Sequence, residues 1–173
     1  HLFDASTGAL QRTFDDPTLT GFDSFGQSVA LDGERVLIGA SGDDSQGPGV
    51  GQAHLFDATT GALLRTFDDP TVTDHDGFGT AVAIEGDRVL IGAPGDDTTG
   101  DGIGQVHLFD AVTGALLLTF DDPTPTSFDQ FGWSVALDGN RALIGARLDD
   151  TQGNDVGQAH LFDTTSGDVL ATL

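Results

Sequence analysis

One interval constrains this chain more than any other feature. The tetrapeptide His-Leu-Phe-Asp stands at His1, His54, His107 and His160, each copy 53 residues after the last. Between these markers a second block recurs in register, from Phe25 to Asp44, Phe78 to Asp97 and Phe131 to Asp150, with no insertion or deletion. A period held this strictly means one structural unit repeated and stacked on its neighbours.

Each unit divides into four short apolar runs separated by turn signals. In the first full repeat they are Gln27 to Leu31, Arg35 to Ala40, Gln52 to Phe56 and Ala62 to Phe67, named A to D in order. Asp32-Gly33-Glu34 between A and B places a glycine where a hairpin needs φ > 0. Asp57-Ala58-Thr59-Thr60-Gly61 between C and D combines an Asp that can accept turn N–H groups with a glycine that closes the loop. Run B is apolar on consecutive residues, as expected of a strand covered on both faces. No helical stripe appears. The expected fold is all-β, built from β-propeller blades of four antiparallel strands, because sheets apolar on both faces bury them best when arranged radially. The expected divisions are a half blade at 1–20 (strands C and D) and blades at 21–73, 74–126 and 127–173 within one propeller-type domain. Three and a half blades do not close a ring of about 4 to 8. The mid-blade start, without an initiator Met, is read as a fragment of a larger propeller.

Charge narrows the partners. There are 28 acidic residues, all Asp except Glu34 and Glu85, against 6 basic ones, all Arg, for a net charge of -22. Such a surface repels nucleic acid and anionic membranes, and its natural companions are multivalent cations or high salt. No apolar run approaches the ~20 residues of a membrane-spanning helix. The chain has no Cys and no Met, so it carries neither a disulfide framework nor a soft metal site.

Phe78-Gly79 at the head of run A and Gly92-Ala93-Pro94 at the end of run B resemble the FG-GAP repeat of integrin α-subunit heads and bacterial surface proteins. Phe25-Gly26 with Gly39-Ala40-Ser41, and Phe131-Gly132 with Gly145-Ala146-Arg147, are decayed copies. The resemblance covers essentially the whole chain and implies an extracellular propeller engaged in adhesion or ligand binding. It also implies a calcium loop between strands A and B, but that connection is here only Asp32-Gly33-Glu34 and its copies, too short to wrap a cation. The chain therefore looks more like the bacterial variants with a tight A–B turn.

In an up-and-down blade the B–C and D–A connections share one face. Seven carboxylates of the middle repeat are expected there: Asp68, Asp69, Asp74, Asp76, Asp96, Asp97 and Asp101. Hard cations such as Ca2+ take six to eight oxygens from carboxylates and bent carbonyls. The metal candidates are Asp96, Asp97 and Asp101, their cognates Asp149, Asp150 and Asp155, and Asp43, Asp44, Asp74 and Asp76. The competing reading is a solvated acidic surface suited to a saline setting. The four His of run C read as packing residues, one to a blade, and the Thr residues in Pro123-Thr124-Pro125-Thr126-Ser127 read as possible acceptors of O-linked sugars.

Repetition disfavours the asymmetric constellation an enzyme needs, and no nucleophile elbow or phosphate loop stands out. No catalytic residue and no other cofactor is assigned. The expected function is an exported, extracellular or cell-surface module for binding, adhesion or structural assembly. It holds Ca2+ and meets a protein, a glycan or further copies of itself. The alternatives are a propeller scaffold of a larger extracellular enzyme and a self-assembling repeat array.

Overall fold

Each Asp-Gly signal between the first two runs folds as a tight hairpin in the computed structural model, which describes residues 1–19, 21–154 and 156–173. Asp32 pairs with Arg35 and Asp138 with Arg141. Gly33, Gly86 and Gly139 take φ of 57°, 54° and 56°, the first position of a II′ turn, which matches the twist of the strands it joins.

Fourteen strands follow in chain order, and no helix appears among the described residues. The opening pair is β1 (Leu2–Phe3) and β2 (Leu10–Arg12). The first full sheet is β3 (Phe25–Asp32), β4 (Arg35–Ala40), β5 (Gln52–Asp57) and β6 (Leu63–Asp68). Next come β7 (Ala81–Glu85), β8 (Arg88–Ala93), β9 (Gln105–Asp110) and β10 (Leu116–Asp121). The last are β11 (Phe131–Asp138), β12 (Arg141–Ala146), β13 (Gln158–Asp163) and β14 (Val169–Thr172). Each set of four pairs in sequence order as an antiparallel meander. These are all-β propeller blades.

The C–D turn works as its sequence suggests. Asp57 Oδ1 accepts from the N–H groups of Thr59 at 3.0 Å and Thr60 at 2.6 Å. Gly61, at φ 77°, returns its N–H to the Asp57 carbonyl at 2.8 Å. The same Asp anchors recur at Asp4, Asp110 and Asp163.

The core lies between successive sheets. Leu37, Ala53, Leu55 and Phe67 of the first sheet meet Val82, Val89, Ile91 and Phe109 of the second, with Phe78 from the connection before β7. One repeat later Leu90, Val106, Leu108 and Phe120 meet Phe131, Ala142, Ile144 and Phe162. The run-B strands β4 and β8 are buried residue after residue because sheets cover both of their faces, whereas burial alternates along β12. On the third sheet the equivalent of Leu37 and Leu90 is Leu143, which is 39% exposed.

Two ends of each blade do different work. At the tight-turn end arginines tie one blade to the next. Arg35 donates to the Gly86 carbonyl and to Asp87, and Arg88 donates to the Gly139 carbonyl and to Thr164 Oγ1. The long B–C and D–A connections gather at the other end, where the acidic residues are concentrated.

Candidate metal centre

The second seam shows the arrangement most completely. Asp69 follows the end of β6, Thr71 and Asp76 lie on the D–A connection, Asp96 lies on the B–C connection after β8, and Gln105 and His107 stand on β9. Local chemistry fixes each of them. Asp69 Oδ1 accepts from the Thr71 N–H at 2.8 Å, and Asp96 Oδ1 accepts from the Thr98 N–H at 2.7 Å, so both aspartates cap their own turns. Asp76 accepts from the Thr73 N–H at 2.6 Å and from the Thr73 hydroxyl. Gln105 is oriented by its Nε2 bond to Asp121 Oδ1 at 2.7 Å.

What remains of each group points at one place. Asp69, Asp96 and His107 each offer a donor atom, all within 4.8 Å of one another, and all three residues are buried. The Thr71 hydroxyl sits among them, 2.9 Å from Asp96 Oδ2, 3.0 Å from Gln105 Oε1, 3.1 Å from Asp69 Oδ1 and 3.4 Å from His107 Nε2. A hydroxyl has one proton to give, so it serves one of these groups, Asp69 Oδ1 has the Thr71 N–H, and Asp69 Oδ2 is left without a partner.

Burial raises the Asp69 carboxyl to about 6, with Asp76 and Asp96 acting in the same direction. It also lowers the His107 imidazole to about 4. Asp76 and Asp122 are shifted up by burial as well, and His54 is shifted down. Burial thus disfavours charge on both carboxylate and imidazole. Among the described residues no arginine forms an ion pair with Asp69, Asp76, Asp96, Asp122 or Asp149.

The period places the same set at the third seam and an all-carboxylate group at the first. Asp122, Asp149 and His160 form the third-seam group, with Thr124 Oγ1 at 3.0 Å from Asp149 Oδ2. Asp16, Asp23 and Asp43 form the first, bridged by Thr18, with no histidine in the group. These are groups that could hold a metal ion.

The acidic residues anticipated on this end do not converge as one set. Asp43, Asp76, Asp96 and Asp149 are buried in the seams, whereas Asp44, Asp74, Asp97, Asp101 and Asp150 are exposed on the rim. Asp97 and Asp101 join no group with Asp96; Asp97 Oδ1 instead accepts from the Gly102 N–H at 2.6 Å, closing its loop. Asp155 lies outside the described residues.

Sequence reasoning places Asp69 on this face but leaves it out of the metal candidates, as it does Asp16 and Asp122, and it does not single out Thr71 or Gln105. His54, His107 and His160 do pack, with Phe78 and His107 ring centroids 5.9 Å apart, but Nε2 of His107 and of His160 also faces a carboxylate, Asp69 at 3.8 Å and Asp122 at 3.7 Å. The signal was present: Asp, Thr, Gln and His all recur at the 53-residue interval. The hydroxyls of Thr124 and Thr126, read as sugar acceptors, are engaged by carboxylates.

The model of the FG-GAP repeat matches residues 20–56, 70–109 and 123–162, well over half of the chain. The chain belongs to the FG-GAP repeat family. Its name-giving residues are the seam itself. A Cβ on Gly92, the Gly of Gly-Ala-Pro, would lie 2.1 Å from the carbonyl oxygen of Gly132, the Gly of the next Phe-Gly, and one on Gly39 would lie 2.0 Å from the Gly79 oxygen. FG-GAP glycines are what lets adjacent blades touch backbone to backbone, while Phe78 and Phe131 fill the interface beside them.

No curated protein matches the chain. Solved structures similar to it include the computationally designed Ika4 protein, with 18% identity, a TM-score of 0.59, and 90% of this chain covering 76% of that one. The computationally designed Ika8 protein shows 20% identity and a TM-score of 0.56 over 86% of this chain. BamB from Moraxella catarrhalis shows 20% identity and a TM-score of 0.52 over the same share. The chain spans 36% of the length of each of these last two. The similarity extends to the fold.

Proposed function

We propose that this chain is a propeller module of an exported, cell-surface or extracellular protein, acting by binding, adhesion or assembly rather than by catalysis, with Ca2+ held on its acidic rim. The observation that carries this reading is the division of the long-loop end. Its inward acids recur at every seam, buried at the second and third and with Asp16 half-buried at the first, and a second tier of carboxylates, including Asp74, Asp97 and Asp101, stands exposed above them on glycine-containing loops. Exposed carboxylates and bent carbonyls on such loops are the ligand types Ca2+ takes. A rim of this kind suits a protein or glycan partner that shares the cation.

Structural assembly has its own support: Val29 and Leu31 on the first full sheet are 67% and 58% exposed, although their equivalents Val82 and Ile84 are covered by a neighbouring sheet. The test of the rim is thermal unfolding of the chain against Ca2+, with Mg2+ and matched NaCl as controls. A ligand specific to the native state adds roughly 2.7 kcal/mol at a hundredfold excess over its Kd. A midpoint that follows Ca2+ and not ionic strength supports the reading. A midpoint that follows bulk salt alone makes the rim a screened surface.

A further inference from the structure

The buried clusters pose a separate chemical problem from the exposed rim. Three carboxylates packed at one seam without an arginine are costly unless something positive sits with them. Moreover, several of their atoms are left without partners: Asp69 Oδ2, Asp122 Oδ2, His54 Nε2, His160 Nε2, Gln52 Oε1 and Gln158 Oε1. His160 is fully buried, and its unpartnered Nε2 points into its cluster, 3.7 Å from Asp122 Oδ1. Orphaned buried groups of this kind call for an unrecorded partner, and here the same ones recur at equivalent places in different repeats.

We propose that the second- and third-seam clusters, represented by Asp69, Asp96 and His107 with Thr71 and Gln105, each bind one first-row divalent transition-metal ion of the Zn2+ or Mn2+ kind. Two carboxylates, an imidazole and neutral oxygens form a mixed nitrogen and oxygen set, which suits these ions better than the all-oxygen shell of Ca2+. Donors to one such ion at 2.0–2.2 Å lie at most about 4.4 Å apart. The group already within 4.8 Å therefore needs only small side-chain adjustments.

The second layer is also in place. Nδ1 of His54, His107 and His160 lies 3.1 Å from Thr66, Thr119 and Thr172 Oγ1 respectively. With the proton on Nδ1 and donated to that hydroxyl, Nε2 keeps its lone pair for the metal, the usual way a ligating histidine is oriented. The ion would join the strand carrying His107 to the segment that arrives from the preceding blade. This inference is independent of the Ca2+ reading of the rim.

The experiment uses the whole chain, stripped with a chelator. Co2+ uptake is followed by visible absorption with Zn2+ as competitor, and imidazole nitrogens are followed by NMR during Zn2+ titration. Zn2+ is expected to displace Co2+ and to shift Nε2 of His107 and His160, leaving His1 and His75 in place. Thr119→Val, which removes an orienting hydroxyl without touching a ligand, is expected to weaken the His107 cluster roughly 10–100-fold. Static Nε2 resonances at saturating Zn2+ overturn the proposal, even if Co2+ is taken up on the acidic surface. An unaltered His107 response in Thr119→Val does the same. A Ca2+-dependent rise in Tm without Nε2 movement sinks this inference and leaves the rim intact; Nε2 movement without a Ca2+ effect does the reverse.

Discussion

Leu37, Leu90 and Leu143 occupy the same strand position in three nearly identical repeats, yet the first two are 0% exposed and the third is 39% exposed. Truncating each to Ala therefore separates what the strand contributes from what the stack contributes. Losing three carbons from a fully buried site removes about 2.4 kcal/mol of transfer free energy at ~0.8 kcal/mol per group. A cavity term brings such losses into the range of about 2.7–5 kcal/mol. Leu90→Ala and Leu37→Ala are both expected there, near 3.5 kcal/mol. At Leu143 only about 60% of the transfer term is at stake and solvent can fill the gap, so the loss is expected at about 1.5 kcal/mol or less.

Urea unfolding resolves the difference. With a slope of about 2 kcal/mol/M, the buried truncations lower the midpoint by roughly 1.7 M and Leu143→Ala by roughly 0.7 M. If Leu143→Ala costs as much as Leu90→Ala, the reasoning fails, and the outer face of the third sheet is covered in solution.

Two further outcomes follow from the seams and turns. Gly92→Ala pushes a methyl against the Gly132 carbonyl, backbone on backbone, and is expected to cost about 3 kcal/mol, whereas Gly145→Ala, at the equivalent place on the third sheet, closely meets only the Ser134 side chain and is expected to cost about 1 kcal/mol; equal losses in denaturant unfolding would refute the contact between blades. The Asp110 carboxyl is held below its usual value by the Thr113 N–H and hydroxyl, so its contribution is fully present above the unfolded-state pKa near 3.9 and lost as pH falls through the folded-state value. The stability gap between wild type and Asp110→Asn is accordingly expected to hold at pH 6 and to close on acidification below about pH 4, and a gap that stays constant to pH 2 counts against the turn assignment.

Much of the fold was legible because its signals are local. Run B was placed at Arg35 to Ala40, the span of β4, since uninterrupted Val-Leu-Ile fits a strand buried on both faces. Run A was placed at Gln27 to Leu31, but β3 begins at Phe25. The Phe-Gly pair read as a motif is strand in the first and third sheets but precedes β7 in the second, and the register is irregular between Phe25 and Ser28, which a residue pattern does not announce. The acidic loops were the reverse case. Asp96 and Asp97 are adjacent and chemically identical, yet one is fully buried beside Thr71 and the other is exposed with its oxygen on the Gly102 N–H. Nothing in a dipeptide separates them, because the difference lies in which way each side chain leaves a loop packed against a neighbouring connection.

What the sequence by itself determined is the repeat, its four strands and its turns, since these rest on spacing, glycine conformations and side chains that satisfy their own backbone. What only the tertiary structure decided is which acids share a seam. Asp69, Asp96 and His107 are separated by 27 and 11 residues, and they meet because the segment leaving one blade packs against the loops of the next. Proximity in space sets both the cost of burying like charges and the chance to share a cation, and a list of residues contains no distances.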